Sequence, residues 1–296
     1  MNSIRAENVV KRFDGFTALD GLSLSVPKGA VYGLVGPNGA GKTTFIKALA
    51  GIIMTDSGKI TVDGKSVYDN EEVKKKIAYV SDDLYFFPTY TIKQTARFYS
   101  GIYENWSYDA YNTMLQFFKI DENKRCRRMS KGMQKQAAIW MALCTNPEIL
   151  ILDEPVDGLD PVMRKNIWSL IMQAVCDRQM TVLVSSHNLR ELEDVCDHVG
   201  MMHKGKIVLE KALDDVKGSV HKIQTAFRDG FPKELSEKID ILHRSDYGSV
   251  MTLIVRGEEQ EIIGKVTEYS PLIMDVLPLT LEEIFIYELG GMGYEF

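Results

Sequence analysis

Between Ala30 and Ala50 the chain passes from a short apolar run into a helical stretch through Gly36-Pro37-Asn38-Gly39-Ala40-Gly41-Lys42-Thr43, and Gly51 closes the helix. This segment constrains the fold more than any other. It fits the pattern GxxxxGK[ST] in full, and it lies between a strand and a helix, as that pattern requires. Glycines let the backbone wrap closely around phosphate oxygens, so that main-chain N–H groups and the following helix N-terminus meet the negative charge. Lys42 is placed to reach the terminal phosphates of a nucleotide, and the Thr43 hydroxyl, with Thr44 beside it, to meet a magnesium ion and the phosphates. A glycine-rich turn that binds nothing is the competing reading, and the flanking strand and helix disfavour it. On its own the loop says only that the chain is a P-loop nucleotide-binding protein.

A strand feeding a helix through such a loop calls for an α/β core with parallel strands, and the rest of the chain reads that way. The first 30 residues suggest short antiparallel strands broken at Asp14-Gly15, Asp20-Gly21 and Pro27. Residues 59–67 suggest a hairpin turning at Asp63-Gly64. From about Thr91 to Thr145 the pattern is helical, with Tyr108, Tyr111, Leu115 and Phe118 on one face. Ile149–Leu152 and Val182–Val184 have the fully apolar character of strands covered on both sides. Met163, Ile167, Leu170, Ile171, Ala174 and Val175 mark the helix between them. Asn188 and Glu191 suggest a capping box for another helix.

After about residue 212 the pattern changes. Ser249–Arg256 should pair with Ile239–His243 across Arg244–Gly248, 258–269 should be helical and Leu272–Leu277 a strand. Thr280 with Glu283 should cap a last helix. Two domains are therefore expected: 1–211, with a helical insert at about 84–145, and a small α+β appendage at 212–296 that regulates or pairs the subunits.

Ile149-Leu150-Ile151-Leu152-Asp153-Glu154 carries the second chemical signal. A carboxylate ending a buried strand, Asp153, is placed to hold Mg²⁺ directly or through water. Glu154, next to it, could polarise an attacking water. A buried strand meeting a solvated acidic turn would look the same in isolation.

The order and spacing of these segments resemble the ABC ATPase subunits. The resemblance rests on the loop at 36–43, Met129-Ser130-Lys131-Gly132-Met133-Gln134 ahead of a helix, Leu152-Asp153-Glu154-Pro155, Gly158-Leu159-Asp160-Pro161 and Ser185-Ser186-His187. It spans roughly residues 3–211, and the character of Tyr99–Trp106 looks most like the exporter-type subunits of Gram-positive bacteria.

The resemblance implies the fold, a P-loop core with an antiparallel β subdomain and a helical insert, and ATP with Mg²⁺ as ligands. It further implies an adenine-stacking aromatic at Phe13, with Phe16 as competitor. Ser130, Lys131 and Gly132 would form a signature segment that meets ATP on a second subunit, Asp160 a loop communicating across that interface, and His187 a switch histidine on the γ-phosphate. A lone histidine after a strand is more often structural; Ser185-Ser186 and the spacing from Glu154 favour the switch.

The chain departs from the family at two places. Asp82 stands where the family has a neutral glutamine near the metal, so Asp82 joins Thr43 and Asp153 as a metal candidate, against a reading as a solvated loop residue. In the signature, Lys131 replaces glycine and Met133 replaces glutamine; Lys131 either attracts the partner's phosphate or faces water.

Composition narrows the function classes. A net charge of −6 argues against nucleic acid as partner. No run of about 18 apolar residues and no apolar leader occurs, so a separate chain is expected to supply the permease. The subunit would then lie at the cytoplasmic face of the membrane, paired with an identical or different ATP-binding subunit. Cys126, Cys144, Cys176 and Cys196 are widely spaced and read as buried, reduced thiols. An ABC ATPase that remodels a cytosolic assembly is the alternative; the single motif set, the absence of heptads and the acidic balance weigh against it.

Overall fold

The computed structural model describes residues 2–218 and 220–290; Ser219 and residues 291–296 of the expected appendage lie outside the described residues. The chain divides into two compact units, Met1–Asn188 with Val195–Glu210, and Leu189–Asp194 with Lys211–Phe296.

In the first unit, β1 (Asn2–Phe13) and β2 (Phe16–Pro27) form a long hairpin turning at Asp14-Gly15, both at positive φ. The strand break expected at Asp20-Gly21 does not occur. Gly21 adopts φ 71° and takes up the extra residue where Val9 pairs with Leu22 but Val10 with Asp20, so β2 continues through a bulge. The strand β3 (Val31–Val35) and the helix α1 (Lys42–Leu49) follow. Then β4 (Ser57–Val62) pairs with β1 and turns at Asp63-Gly64 into β5 (Lys65–Ser66), completing an antiparallel sheet ordered β2-β1-β4-β5.

A short helix, α2 (Glu71–Lys74), leads to β6 (Ile77–Val80). The helical insert supplies α3 (Ile92–Ser100), α4 (Tyr108–Phe118) and α5 (Lys131–Cys144). Tyr111 and Phe118 of α4 meet the buried Trp140 of α5, with ring centroids 4.9 and 6.1 Å away, whereas Tyr108, on the same predicted face, is exposed.

The chain then forms β7 (Ile149–Asp153), α6 (Pro161–Arg178), β8 (Thr181–Ser186), β9 (His198–His203) and β10 (Lys206–Ala212). The second sheet is ordered β10-β9-β3-β8-β7-β6, with β9, β3, β8, β7 and β6 parallel. β3, β7 and β8 are buried along their whole length, which is why their sequences are continuous apolar runs without alternation. Phe45, Ile46 and Leu49 of α1 join Ile151, Leu183 and the apolar faces of β1, β2 and β4 in one core.

Two further expectations are corrected. Asn188 and Glu191 do not open a helix: Leu189–Glu191 makes a single 3₁₀ turn. Asp197 already donates its N–H to the Val31 carbonyl on the way into β9, so a helix begun at Asn188 could run no further than residue 196. Of the cysteines, Cys126, Cys144 and Cys196 are buried, but Cys176 is exposed, because Ile171, Ala174 and Val175 take the inward face of α6.

The second unit contains α7 (Leu213–Lys217), β11 (Val220–Ala226), α8 (Leu235–Lys238), β12 (Asp240–Tyr247), β13 (Val250–Arg256), α9 (Glu259–Thr267), β14 (Ile273–Leu277) and α10 (Leu281–Gly290). Its antiparallel sheet is ordered β12-β13-β11-β14 around a core that includes Ile223, Leu235, Leu253, Val255, Ile262 and Val266. Tyr247 pairs with Val250 and Arg244 with Leu253, so the hairpin turn is tighter than the predicted Arg244–Gly248 connection. Thr280 and Glu283 form the expected capping box: the Thr280 N–H donates to Glu283 Oε2 (3.0 Å) and the Glu283 N–H to Thr280 Oγ1 (3.3 Å).

Candidate nucleotide-binding site

The phosphate loop is pinned by its glycines. A Cβ on Gly36 would lie 2.2 Å from the Met202 carbonyl oxygen on β9, and one on Gly41 2.5 Å from the Ala18 carbonyl on β2. Both neighbours are backbone, so neither can turn aside. Gly36→Ala should therefore force β9 to shift and cost about 1–3 kcal/mol of stability, the usual scale of overpacking. Denaturant unfolding measures it, and an unchanged midpoint would show that the strand yields freely. Gly39 has open space but φ 81°, so its glycine answers a conformational demand.

Lys42 is buried, and its Nζ donates to the carbonyl oxygens of Gly36 (2.6 Å) and Pro37 (3.3 Å). The same nitrogen lies 3.7 Å from Glu154 Oε1. Burial pushes the Lys42 ammonium below its ordinary pKa, while the Glu154 and Asp153 carboxylates pull it back up.

Asp153 ends β7, and its Oδ1 accepts from the Ser185 hydroxyl at 2.5 Å. Its Oδ2 is buried and has no hydrogen-bond partner. An orphaned carboxylate oxygen is costly to bury unless something else satisfies it, and a divalent cation would. Among the described residues no cluster of three or more His, Cys, Asp or Glu side chains could hold a metal alone. Magnesium that takes most of its ligands from phosphates and water needs only one or two protein groups. Asp153 Oδ2 and the exposed Thr43 hydroxyl fit that requirement.

Glu154 has φ 47°, a left-handed backbone rare for a residue with a side chain. Its N–H donates to the Ser185 carbonyl (3.3 Å) and hydroxyl (3.2 Å), and its carbonyl accepts from Lys135 Nζ (2.7 Å). Thus both backbone groups are held. The side chain then reaches His187, with Nδ1 3.0 Å from Glu154 Oε2.

Lys42 and Glu154 border a cavity of about 320 Å³ lined by Asn38–Thr44, Phe16, Ala18, Asp82 and Glu154, whereas Gly36, Pro37, Asp153 and His187 are not among its lining residues. Phe16 lines it and Phe13 does not: Phe13 pairs across the hairpin from Phe16 and lies under Lys11 Nζ, 5.1 Å from the ring centroid. Asp82 lines the cavity, but its Oδ1 accepts from Lys135 Nζ at 3.1 Å. Ser130, Lys131 and Gly132 are not among the lining residues. Ser130 and Lys131 are exposed at the start of α5, where the Ser130 hydroxyl accepts from the Met133 N–H (3.3 Å). Asp160 caps α6 by accepting from the Met163 N–H at 3.0 Å.

Two residues that sequence reasoning left without a role belong here. Ser185 links Asp153 to the Glu154 backbone, and Lys135 links Glu154 to Asp82. Lys135 did carry a signal, since Lys135, Ile139 and Ala142 form one buried stripe of α5. An ammonium on such a stripe must find acceptors.

Known proteins are similar to this chain in sequence and in fold. The family profile described as "ABC transporter" matches residues 19–157. A second, described as "AAA domain, putative AbiEii toxin, Type IV TA system", matches residues 125–193. The chain is 32% identical to the ABC transporter ATP-binding protein YtrB of Bacillus subtilis (strain 168), over 97% of this chain and 98% of that protein. It is 33% identical to the bacitracin transport ATP-binding protein BcrA of Bacillus licheniformis, over 97% of both. Among solved structures, an ATP-binding subunit of an ABC transporter superposes with a TM-score of 0.67 at 25% identity, covering 72% of this chain and 91% of that one. A nucleotide-free ATP-binding cassette of an ABC transporter gives 0.61 at 27% identity, covering 72% and 92%.

Proposed function

The chain belongs to the ABC transporter ATP-binding family, and we propose that it is the ATP-hydrolysing motor of an exporter, one of a pair of such subunits working at the cytoplasmic face of the membrane beside a separate permease. Membership implies an ATPase, and the observation that carries the assignment of roles is the convergence on one carboxylate. Glu154 lies 3.7 Å from the phosphate-loop lysine and 3.0 Å from His187, at the rim of the loop cavity.

In this reading the backbone N–H groups of 38–44 and Lys42 hold the nucleotide phosphates. Glu154 accepts the proton of the attacking water, and His187 holds Glu154 and meets the γ-phosphate as it leaves. Thr43 and Asp153 would hold Mg²⁺, which neutralises charge developing between the β- and γ-phosphates. Phe16 is the better placed platform for adenine. Ser130, Lys131 and Gly132, outside their own cavity, would complete the site of a second subunit. The second unit carries no nucleotide motif, which supports a regulatory or pairing role for it.

No helix among the described residues is long and apolar enough to cross a membrane. That supports a permease on another chain, as does the aromatic loop after β6. None of Leu84, Tyr85, Phe86, Phe87, Tyr90, Phe98, Tyr99 and Tyr103 is fully buried; Tyr85 is 79% exposed, and Phe87 lies 5.2 Å from Phe98 and 4.8 Å from Tyr90, centroid to centroid. Exposed rings clustered this way are the usual mark of an interaction surface.

A Tyr85→Cys or Phe87→Cys protein in native membranes should cross-link to a multi-span protein and should release phosphate from ATP. Cross-links confined to soluble proteins would favour the remodelling alternative. An absence of phosphate release would remove the motor assignment.

A further inference from the structure

Resting on the assignment of Glu154 as the base, we propose that Lys135 is a positioning residue for ATP hydrolysis. With Asp82 it forms a charged strut that fixes the Glu154 backbone, and Asp82 acts through Lys135 rather than as a ligand of the metal. The geometry is specific. Lys135 Nζ is held between Asp82 Oδ1 at 3.1 Å and the Glu154 carbonyl at 2.7 Å, and the Lys135 side chain is only 10% exposed. A buried ammonium must be paired and hydrogen-bonded, so the arrangement is costly to break from either end.

The strut matters because of the conformation it secures. Glu154 occupies a left-handed backbone that a glutamate adopts only when its surroundings enforce it. Ser185 enforces it from the N–H side, and Lys135 from the carbonyl side. Together they fix the direction of the Cα–Cβ bond, and thereby the approach of the carboxylate to Lys42 and His187. Removing Lys135 frees the carbonyl, and the carboxylate can swing away from the water it must activate.

The same contact accounts for an aspartate in place of a neutral glutamine. Asp82 and Lys135 together carry no net charge, so the cavity beside Asp153 gains no second unbalanced carboxylate. The pair also joins three segments distant in sequence: the aromatic loop after β6, the first turns of α5 and the end of β7. A displacement of the loop at Asp82 would reach Glu154 through one side chain.

The test uses the full chain and begins with wild-type phosphate release. If that is absent, the motor assignment fails and the strut is not at issue. Given wild-type turnover, Lys135→Met should lower kcat roughly 10-fold or more, with KM for ATP changed less than about threefold because the phosphate loop is untouched. Lys135→Arg, which keeps the charge, should recover part of that loss. Asp82→Asn should lower kcat in the wild-type background and add nothing in the Lys135→Met background. The Mg²⁺ concentration giving half-maximal turnover should be the same with and without Asp82→Asn.

A second readout needs neither nucleotide nor metal. In the ligand-free protein Asp82→Asn should lower the melting midpoint only where Lys135 is present. Wild-type kcat in Lys135→Met, losses that multiply independently, or a Mg²⁺ requirement shifted by Asp82→Asn alone would each overturn the proposal. Should Lys135→Met fail to fold, the Mg²⁺ comparison for Asp82→Asn and the kcat of Lys135→Arg still decide it. Asp82 is half exposed, so its substitution leaves the fold in place.

Discussion

Glu154→Gln should bind ATP and keep it, with phosphate release slower by at least ~10²-fold, the usual effect of removing a positioned general base. Glutamine preserves the length of the side chain and can still meet His187 across 3.0 Å. The Ser185 and Lys135 contacts are to the backbone of residue 154 and should persist. What is lost is the basic oxygen and the negative charge 3.7 Å from Lys42. That charge helps to keep the Lys42 ammonium protonated against burial, and in the variant the nucleotide's own phosphates take over this role. Binding should therefore hold, or tighten, while the chemistry stops. The check is paired: single-turnover phosphate release, and retention of labelled ATP after rapid gel filtration. Turnover at the wild-type rate would remove Glu154 from the mechanism, and loss of ATP binding would mean that its charge supports the loop rather than the reaction.

The parts of this site legible in the sequence are those whose spacing the backbone itself enforces. A phosphate loop works only when glycines fall where main chain must pass within contact of main chain, as Gly36 does against Met202 and Gly41 against Ala18. That requirement writes itself into consecutive residues. Asp153 was legible for a similar reason, as the polar end of an otherwise apolar buried strand. The strut was not legible, because Asp82 and Lys135 are 53 positions apart and meet only when α5 packs beside β6. The place of Lys135 on a buried stripe of α5 signals only that its ammonium must find an acceptor; which acceptor it finds is decided by the fold.

Phe13 and Phe16 show a finer limit. They face each other in register across the Asp14-Gly15 turn, so sequence brings both to the right place. Which ring faces the cavity depends on the twist of the hairpin. At Asp20-Gly21 a turn-forming pair was absorbed as a bulge by the long pairing of β1 with β2. At Asn188–Glu191 a capping pattern gave only a 3₁₀ turn before Asp197 bonds to Val31 at the entry to β9. In the first case tertiary pairing outweighed a local turn preference.

In the Glu154→Gln background with saturating ATP, light scattering should report twice the monomer mass, and adding Ser130→Arg should return it to one. The loop cavity of a single chain offers Phe16, residues 38–44, Asp82 and Glu154, but nothing from 130–132. Ser130 and Lys131 stand exposed at the N-terminus of the helix Lys131–Cys144, which has no acidic residue in its first turn. A helix start of that kind attracts anions through its free N–H groups and its dipole, and Lys131 adds a full positive charge. The γ-phosphate of an ATP bound to a second chain has the matching charge, so one nucleotide can join two chains, and its hydrolysis removes the join. Arginine at 130 adds bulk where that phosphate must sit. It also removes the hydroxyl that caps Met133, at a cost of about 1 kcal/mol to the helix, so the melting midpoint of the single Ser130→Arg chain must be measured alongside. A folded Ser130→Arg chain that binds ATP but stays monomeric places Ser130 at the joint. A double variant that still dimerises puts the pairing surface elsewhere, and a Glu154→Gln chain that never dimerises with ATP removes the shared site altogether.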